Sequence, residues 1–128
     1  MAETVRTGRC LCGAVAFETR GEPRFISNCH CESCRRASSA PSLTWAGFLD
    51  HQVTLAGEPL REFASSPGVI RYFCGRCGAP LAFRGEQWPG ETHLPVCAFD
   101  APETLPPTSD HFVAEKLPWA ALLGNQSQ

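Results

Sequence analysis

Residues 73–78 read FCGRCG, and this stretch decides the fold of the chain. Its two thiols, Cys74 and Cys77, have the spacing of a zinc knuckle. Gly75 and Gly78 free the backbone of side-chain clashes where it wraps around an ion. A structural zinc takes four ligands in a tetrahedron, commonly as two pairs from distant parts of a chain. The knuckle therefore predicts a second thiol pair elsewhere in the sequence.

The second pair stands in the stretch RCLCG near the N-terminus. If this stretch is a strand, Cys10 and Cys12 project to one face, because residues two apart in a strand do so. An ion shared with Cys74 and Cys77 would cross-link segments that the core of a small domain holds weakly. We therefore predict one structural zinc held by these four residues.

A third stretch, CHCESC, adds three thiols, Cys29, Cys31 and Cys34. Three thiols without a fourth partner are typical of an open zinc site, whose fourth position takes water or substrate. The alternative is a closed site in which Cys97 or His30 is the fourth ligand, and the spacing favours the open site only slightly. If they are not ligands, Cys97 is expected to be a buried small apolar residue, and His30 a solvent-facing or hydrogen-bonded strand residue. Two zinc ions per chain are predicted in total.

The composition is that of an ordinary globular domain. Of the 128 residues 43% are hydrophobic and 19% are charged, so we expect a single domain over 1–128 with a frayed tail at about 124–128. A net charge of −2 and a pI near 6.1 give no electrostatic reason to bind nucleic acid or a membrane surface. No stretch has the length of a signal peptide's apolar core or of a membrane span. Eight cysteines in such a chain predict metal ligands or catalytic thiols in a reducing cytoplasm rather than disulfides.

Eleven glycines and eleven prolines divide the chain into short pieces, which predicts short strands joined by turns. A brief helix is expected just after the third thiol of CHCESC, within CRRASSA, which would place Cys34 near a helix N-terminus, where the peptide dipole favours thiolate. The stretch APETLPP at 101–107 is expected to be an ordered surface turn or extended loop. The predicted strands lie at 15–18, 25–28, 42–45, 52–55, 70–73, 81–83, 94–98 and 111–115.

Three thiolates at one metal favour thiol capture over hydrolysis. A zinc ion with three negative sulfurs polarises a carbonyl or a water less than a site with neutral imidazoles does. It accepts a fourth soft ligand, and a thiol bound there loses its proton near neutral pH. Arg35 and Arg36, directly after Cys34, would offset the negative charge and bind a carboxylate of a thiol-bearing substrate. The alternative for both arginines is a solvated helix surface.

Four motifs follow one another along the chain: RCLCGAV, CHCESCRRASSAP, FCGRCGAPL and CAFDAPETLPPTSDHFVAEKLPW. Together they resemble the glutathione-dependent formaldehyde-activating (GFA) family, also called the centromere protein V domain family, over almost the whole chain. The resemblance implies a mainly antiparallel β fold of the Mss4-like, or β-tent, type. It also implies a structural zinc on the two thiol pairs and a catalytic zinc on Cys29, Cys31 and Cys34. The family's named activity is that of a carbon–sulfur lyase, condensing an aldehyde, formaldehyde, with a small thiol, glutathione, to S-hydroxymethylglutathione.

Two residues depart from the family's pattern. The family usually has Gly at the position of Ser39, beside the open site, and a small residue at the position of Cys97. The first difference alters the turn next to the site, and the second adds a thiol that could serve as a ligand or a redox group. Trp119, in the closing motif, is expected to be core or pocket wall. The candidates for a proton donor, by chemical type alone, are His30, His51 and His111.

Two classes of function follow from these residues. The first is an enzyme that makes or breaks a bond between a thiol sulfur and an aldehyde-derived carbon. The second is a non-catalytic zinc-binding module that mediates protein interaction, because a fold does not determine function. A methionine sulfoxide reductase of similar fold also pairs zinc knuckles, but it would leave the three thiols of CHCESC unexplained.

Overall fold

Two β-sheets form the scaffold of the protein, and the computed structural model describes residues 3–124. The smaller sheet has three antiparallel strands, in the order β1 (Val5–Arg9), β2 (Ala16–Arg20) and β5 (Val53–Ala56). The larger sheet is built from β3 (Phe25–Cys29), β4 (Leu43–Leu49), β6 (Leu60–Ser66), β7 (Val69–Cys74), β8 (Pro80–Gly85), β9 (Glu91–Pro95) and β10 (Ser109–His111). Its strand order is β10-β3-β4-β9-β8-β7-β6, and all neighbours are antiparallel except β10 and β3, which are parallel. The predicted mainly β fold is confirmed.

The one α-helix of the described residues, α1 (Glu32–Ser38), begins two residues before Cys34 rather than after it. It starts there because Cys31 is its N-cap, with the sulfur accepting the backbone N–H of Cys34 at 3.3 Å. Cys34 therefore lies in the first turn, as predicted. The helix ends at Ser38, and its C-cap residue Ser39 has a left-handed φ of 53°. Short 3₁₀ turns lie at Asp50–Gln52, Val96–Ala98, Pro102–Thr104 and Val113–Glu115.

A cluster of buried apolar side chains joins the two sheets. Phe17 of β2 packs edge-on against Phe99 with ring centroids 4.9 Å apart, and Phe48 of β4 lies 6.1 Å from the same ring. Gly8 of β1 permits this approach, because a Cβ there would lie 2.1 Å from the Phe17 ring and 2.5 Å from the Ala98 carbonyl oxygen. The packing holds the small sheet against the large one and so fixes the positions of the turns that carry the thiols.

Most strand predictions are confirmed and two are not. The predictions at 15–18, 25–28, 42–45, 52–55, 70–73 and 81–83 correspond to β2, β3, β4, β5, β7 and β8. The strand predicted at 94–98 ends at Pro95 and continues as a 3₁₀ turn. The strand predicted at 111–115 is wrong, because Phe112 has a φ of 57° and turns the chain into a 3₁₀ turn. Strands β1 and β6 escaped prediction because their side chains are mostly exposed and show little apolar alternation.

The C-terminal part of the described chain is peripheral. Trp119 is 72% exposed and so is not a core residue, but it lines a surface pocket with Leu117, as the alternative expectation of a pocket wall has it. The loop at 101–107 contains one 3₁₀ turn and is anchored by the buried side chain of Leu105. The predicted frayed tail lies outside the described residues except for Gly124. Between residues 3 and 124, no helix has the length and apolar character needed to cross a membrane.

Candidate metal centres and active-site cavity

Four thiols converge between the two sheets, and we name them the four-thiol group: Cys10, Cys12, Cys74 and Cys77. Their sulfurs all lie within 4.8 Å of one another. The Cys10 and Cys12 sulfurs are 3.6 Å apart, and those of Cys12 and Cys74 are 3.8 Å apart. Sulfurs at the corners of a tetrahedral zinc site with bonds of about 2.3 Å are roughly 3.8 Å apart. The group therefore fits a zinc ion.

The four-thiol group lies at two turns between antiparallel strands, with Cys77 in the β7–β8 turn and Cys74 at the end of β7. The first pair lies between β1 and β2, so the prediction that Cys10 and Cys12 belong to one strand is wrong. Backbone N–H groups point at the sulfurs: that of Val15 donates to Cys10 at 3.3 Å, and that of Cys77 donates to Cys74 at 3.4 Å. The backbone N–H of Ala79 lowers the pKa of Cys77 to about 6, which favours thiolate at neutral pH. These bonds orient the sulfurs toward a common point.

The remaining cluster, which we name the three-thiol group, consists of Cys29, Cys31 and Cys34. Cys29 ends β3 and the other two belong to the N-terminus of α1. The Cys29 and Cys31 sulfurs are 3.4 Å apart, and all three lie within 4.8 Å of one another. Among residues 3–124, no fourth Cys, His, Asp or Glu joins them. An all-thiol donor set is typical of zinc, so this group too can bind a metal ion.

Neither candidate for a fourth protein ligand joins the three-thiol group. His30 is 1% exposed, and its Nε2 hydrogen-bonds the Asp110 carboxylate at 2.8 Å, which turns the ring away from the thiols. Cys97 lies in a 3₁₀ turn and is exposed, so the expectation that it is a buried apolar residue is wrong. His30 is thus hydrogen-bonded, as one of the alternatives predicted, but it is buried and follows β3 instead of belonging to the strand. Within residues 3–124, neither His30 nor Cys97 closes the three-thiol group.

Two side chains of the large sheet face the sulfur of Cys34. The indole N–H of Trp45 donates to it at 3.4 Å, and the Arg71 guanidinium lies 4.0 Å away. The neighbouring thiols, foremost Cys29, lower the pKa of Cys34 by donating to it, and Trp45 and Arg71 add to the effect. The pKa of Cys29 is raised in turn, foremost by its contact with Cys31. Cys34 is therefore the first of the three thiols to ionise to a thiolate.

A cavity of about 160 Å³ opens onto the three-thiol group, and several aromatic side chains line it. Phe83 stands at the centre of these side chains, with the rings of Trp45 and Trp88 each 5.7 Å from it. His93 stacks on Phe83 at 5.5 Å, and Arg71 lies over the same ring at 5.1 Å. The remaining lining residues are Phe25, Ser27, Ser33, Ser66, Val69, His111 and Phe112.

His93 is a cavity residue that sequence reasoning missed. It is 5% exposed, its Nε2 hydrogen-bonds Glu91 at 2.9 Å, and burial lowers its pKa. Of the three histidines named from the sequence, only His111 lines the cavity, since His30 is bound to Asp110 and His51 lies in an exposed 3₁₀ turn. The pairing of β8 with β9, which sets Phe83 opposite His93, is the feature that brings this histidine to the site.

The two arginines predicted to bind substrate do not line the cavity. Arg35 donates to the backbone carbonyls of His30 and Glu115, at 3.4 and 3.5 Å. Arg36 forms an exposed ion pair with Glu32 at 2.8 Å. The cation beside the thiols is Arg71 instead, which reaches the site from β7.

Comparison with known proteins agrees with this geometry. The model of the glutathione-dependent formaldehyde-activating enzyme family matches residues 5–115. A Schizosaccharomyces pombe protein described as an uncharacterized lyase is 36% identical over 76 residues, which are 59% of this chain and 55% of that protein, so the match spans just over half of the relative. The crystal structure of a Rhodobacter sphaeroides protein shares the fold, with a TM-score of 0.66 and 22% identity over 81% of this chain and 98% of that one. With the family model covering most of the chain and both cysteine groups in place, the protein belongs to the glutathione-dependent formaldehyde-activating enzyme family.

Proposed function

We propose that the protein is a zinc-dependent carbon–sulfur lyase that forms and cleaves thiol–aldehyde adducts at the three-thiol group. Glutathione and formaldehyde, the pair in the family's name, are the first substrates to test. One observation carries the proposal: the cavity opens onto three convergent thiols. Among residues 3–124, no fourth protein ligand joins these thiols. The lyase description of the yeast relative supports the reaction class.

The three-thiol group would hold the catalytic metal. A zinc ion on Cys29, Cys31 and Cys34 would supply a soft Lewis acid with a free position, at which a guest thiol ionises near neutral pH. Arg71 and the indole N–H of Trp45 partly offset the negative charge of the thiolates from the cavity side. The aromatic side chains of the cavity offer water few hydrogen-bond partners, which would favour attack on a carbonyl carbon by the guest sulfur over hydration.

The reaction is a reversible addition without oxidation or reduction. In the forward direction a bond forms between the thiol sulfur and the carbonyl carbon, and the π bond of the carbonyl breaks. The proton that leaves the thiol ends on the carbonyl oxygen. In the reverse direction the sulfur–carbon bond breaks and the aldehyde is released.

The four-thiol group would hold a structural zinc. It joins the β1–β2 turn of the small sheet to the β7–β8 turn of the large one, so an ion there would cross-link the two sheets. Seven of the eight cysteines converge as free thiols in the two groups, a state that a reducing compartment such as the cytoplasm maintains.

Three serine variants test the division of roles. Cys34→Ser should abolish the acceleration of S-hydroxymethylglutathione formation, followed by NMR, and lose one of two zinc ions while the protein stays folded. Cys77→Ser should unfold or aggregate, because the cross-link between the sheets is lost. Cys97→Ser is the matched control, since Cys97 is exposed and belongs to neither group, and should keep both activity and metal.

Full activity in Cys34→Ser, or equal loss of solubility in Cys34→Ser and Cys77→Ser, would refute this division. Two equally inert zinc ions, with no acceleration for any thiol and aldehyde, would instead favour the non-catalytic zinc-binding module. In that outcome the three-thiol group would have no guest ligand.

A further inference from the structure

The cavity has a closed end, where its lining residues are buried, and a mouth, where they are exposed. At the closed end, Trp45, Phe83 and His93 are 6%, 9% and 5% exposed. At the mouth, the lining residues Ser33 and Phe112 are exposed. A substrate whose sulfur lies at the three-thiol group therefore has one arm that faces aromatic walls and one that leads to solvent.

The whole cavity, from the three thiols to the mouth, has room for about one aromatic ring. A cavity of about 150 Å³ with apolar walls accommodates benzene, and this one measures about 160 Å³ in total. The permanent cation among its lining residues is Arg71, which already lies over Phe83 and beside Cys34. The closed end thus offers no further charged partner for the two carboxylates of glutathione, whereas formaldehyde would leave most of the space to water.

We propose that the aldehyde-derived arm of the substrate is apolar and ring-sized, of the benzaldehyde class, and packs against Phe83, Trp45 and Trp88. This inference rests on the proposed thiol–aldehyde lyase function. The thiol's polar remainder leaves through the mouth. The bonds that form and break are those of the proposed addition: the sulfur–carbon bond forms, the carbonyl π bond breaks, and the thiol proton ends on the carbonyl oxygen. The product is an α-hydroxybenzyl thioether.

Binding of unreactive thioethers tests the inference without turnover. S-benzylglutathione lacks the hydroxyl group of the adduct and places a phenyl ring one carbon from sulfur, and S-methylglutathione lacks the ring. Calorimetry on the zinc-loaded protein should give at least about tenfold tighter binding for the benzyl compound, because burial of one aromatic ring is worth at least that factor. Equal affinities would overturn the inference.

Two alanine variants locate the ring. Trp88 lies in the turn between β8 and β9 and is half-buried, so Trp88→Ala should fold, and it should reduce the benzyl-to-methyl affinity ratio at least about threefold. Phe63→Ala is the control, because Phe63 is 60% exposed and does not line the cavity, and should leave the ratio unchanged. Circular dichroism verifies that both variants fold. A ratio that stays unchanged in a folded Trp88→Ala, or that falls equally in both variants, would overturn the inference.

Turnover separates this inference from the function on which it rests. With glutathione fixed, the acceleration over the uncatalysed reaction should be at least about tenfold larger for benzaldehyde than for formaldehyde. Acceleration with formaldehyde that equals or exceeds that with benzaldehyde would refute the substrate class and leave the lyase function standing. No acceleration with either aldehyde, despite tight binding of S-benzylglutathione, would refute the lyase function and leave the assignment of the cavity standing.

Discussion

Replacing Trp45 by Phe removes one polar contact of the three-thiol group. The indole N–H of Trp45 donates to the Cys34 sulfur at 3.4 Å, and its ring packs against Phe83 at 5.7 Å. Phe keeps an aromatic ring in the wall and lacks the donor. The variant therefore tests whether this N–H stabilises a metal-bound thiolate at Cys34.

The expected effect follows from the strength of the contact. A hydrogen bond to a charged acceptor contributes about 1.5–3 kcal/mol, and a long N–H to sulfur bond belongs at the low end of that range. About 1.4 kcal/mol corresponds to a tenfold change in an equilibrium constant. Loss of an orienting partner of a metal ligand typically costs about 10–100-fold in metal affinity. We expect Trp45→Phe to weaken metal binding at the three-thiol group about tenfold.

Competition with a chromogenic zinc chelator measures this affinity and should show two classes of zinc. In Trp45→Phe the weaker class should lose affinity while the tighter class, assigned to the four-thiol group, stays unchanged. Trp88→Phe is the matched control, since Trp88 lies equally far from Phe83 and lines the same cavity without a hydrogen bond to sulfur. Thermal denaturation of both variants separates lost packing from lost metal binding. Equal affinities in the two variants, or equal weakening of both zinc classes, would refute the reasoning.

Two further predictions concern stability. Ser39→Gly should raise the free energy of unfolding by about 1 kcal/mol and the melting temperature by about 3 °C, because the left-handed φ of 53° suits glycine. Ser38→Gly, inside the helix, should lower both quantities, and stabilisation by both substitutions would contradict the argument. Burial lowers the pKa of His93 from its usual 6.5 in the folded protein. Below pH 6.5 the imidazole is therefore protonated more readily in the unfolded chain than in the folded one. The free energy of unfolding should fall as the pH drops below 6.5. In urea titrations at about pH 7.5 and 5.5, His93→Gln should lose less stability than the unaltered protein, and equal losses would show that His93 is protonated in the fold.

The sequence predicted the cysteine groups because spacing alone carries that information. Two thiol pairs and one triplet remain recognisable whatever the backbone does between them, so convergence of Cys12 with Cys74 across 62 residues was predictable. The local backbone geometry at these cysteines was harder to predict. Residues 10–12 form a turn, because the chain must reverse between β1 and β2, and two thiols separated by one residue converge there as well as on a strand face.

The cavity could not be predicted, since its walls come from strands whose order the sequence does not state. Arg71 and His93 reach the site because β7, β8 and β9 are neighbours in the large sheet. Arg35 was favoured because it lies next to Cys34 in the sequence, but residues one apart on a helix point in different directions. Ser39 was singled out by comparison with the family, and the structure supplies the reason in its left-handed backbone.

Chain entropy gives the two cysteine groups different physical roles. An ion on the four-thiol group closes a loop of 62 residues, whereas the three-thiol group spans residues 29–34. The entropic cost of closing a loop grows as the logarithm of its length. Closing the long loop in the unfolded chain therefore stabilises the folded state by about 2 kcal/mol more than closing the short one. An ion at 29–34 crosses no boundary between sheets and holds only the end of β3 to the start of α1. Under the proposed function, the coordination of an ion there could therefore change without loosening the scaffold, as an open site would require.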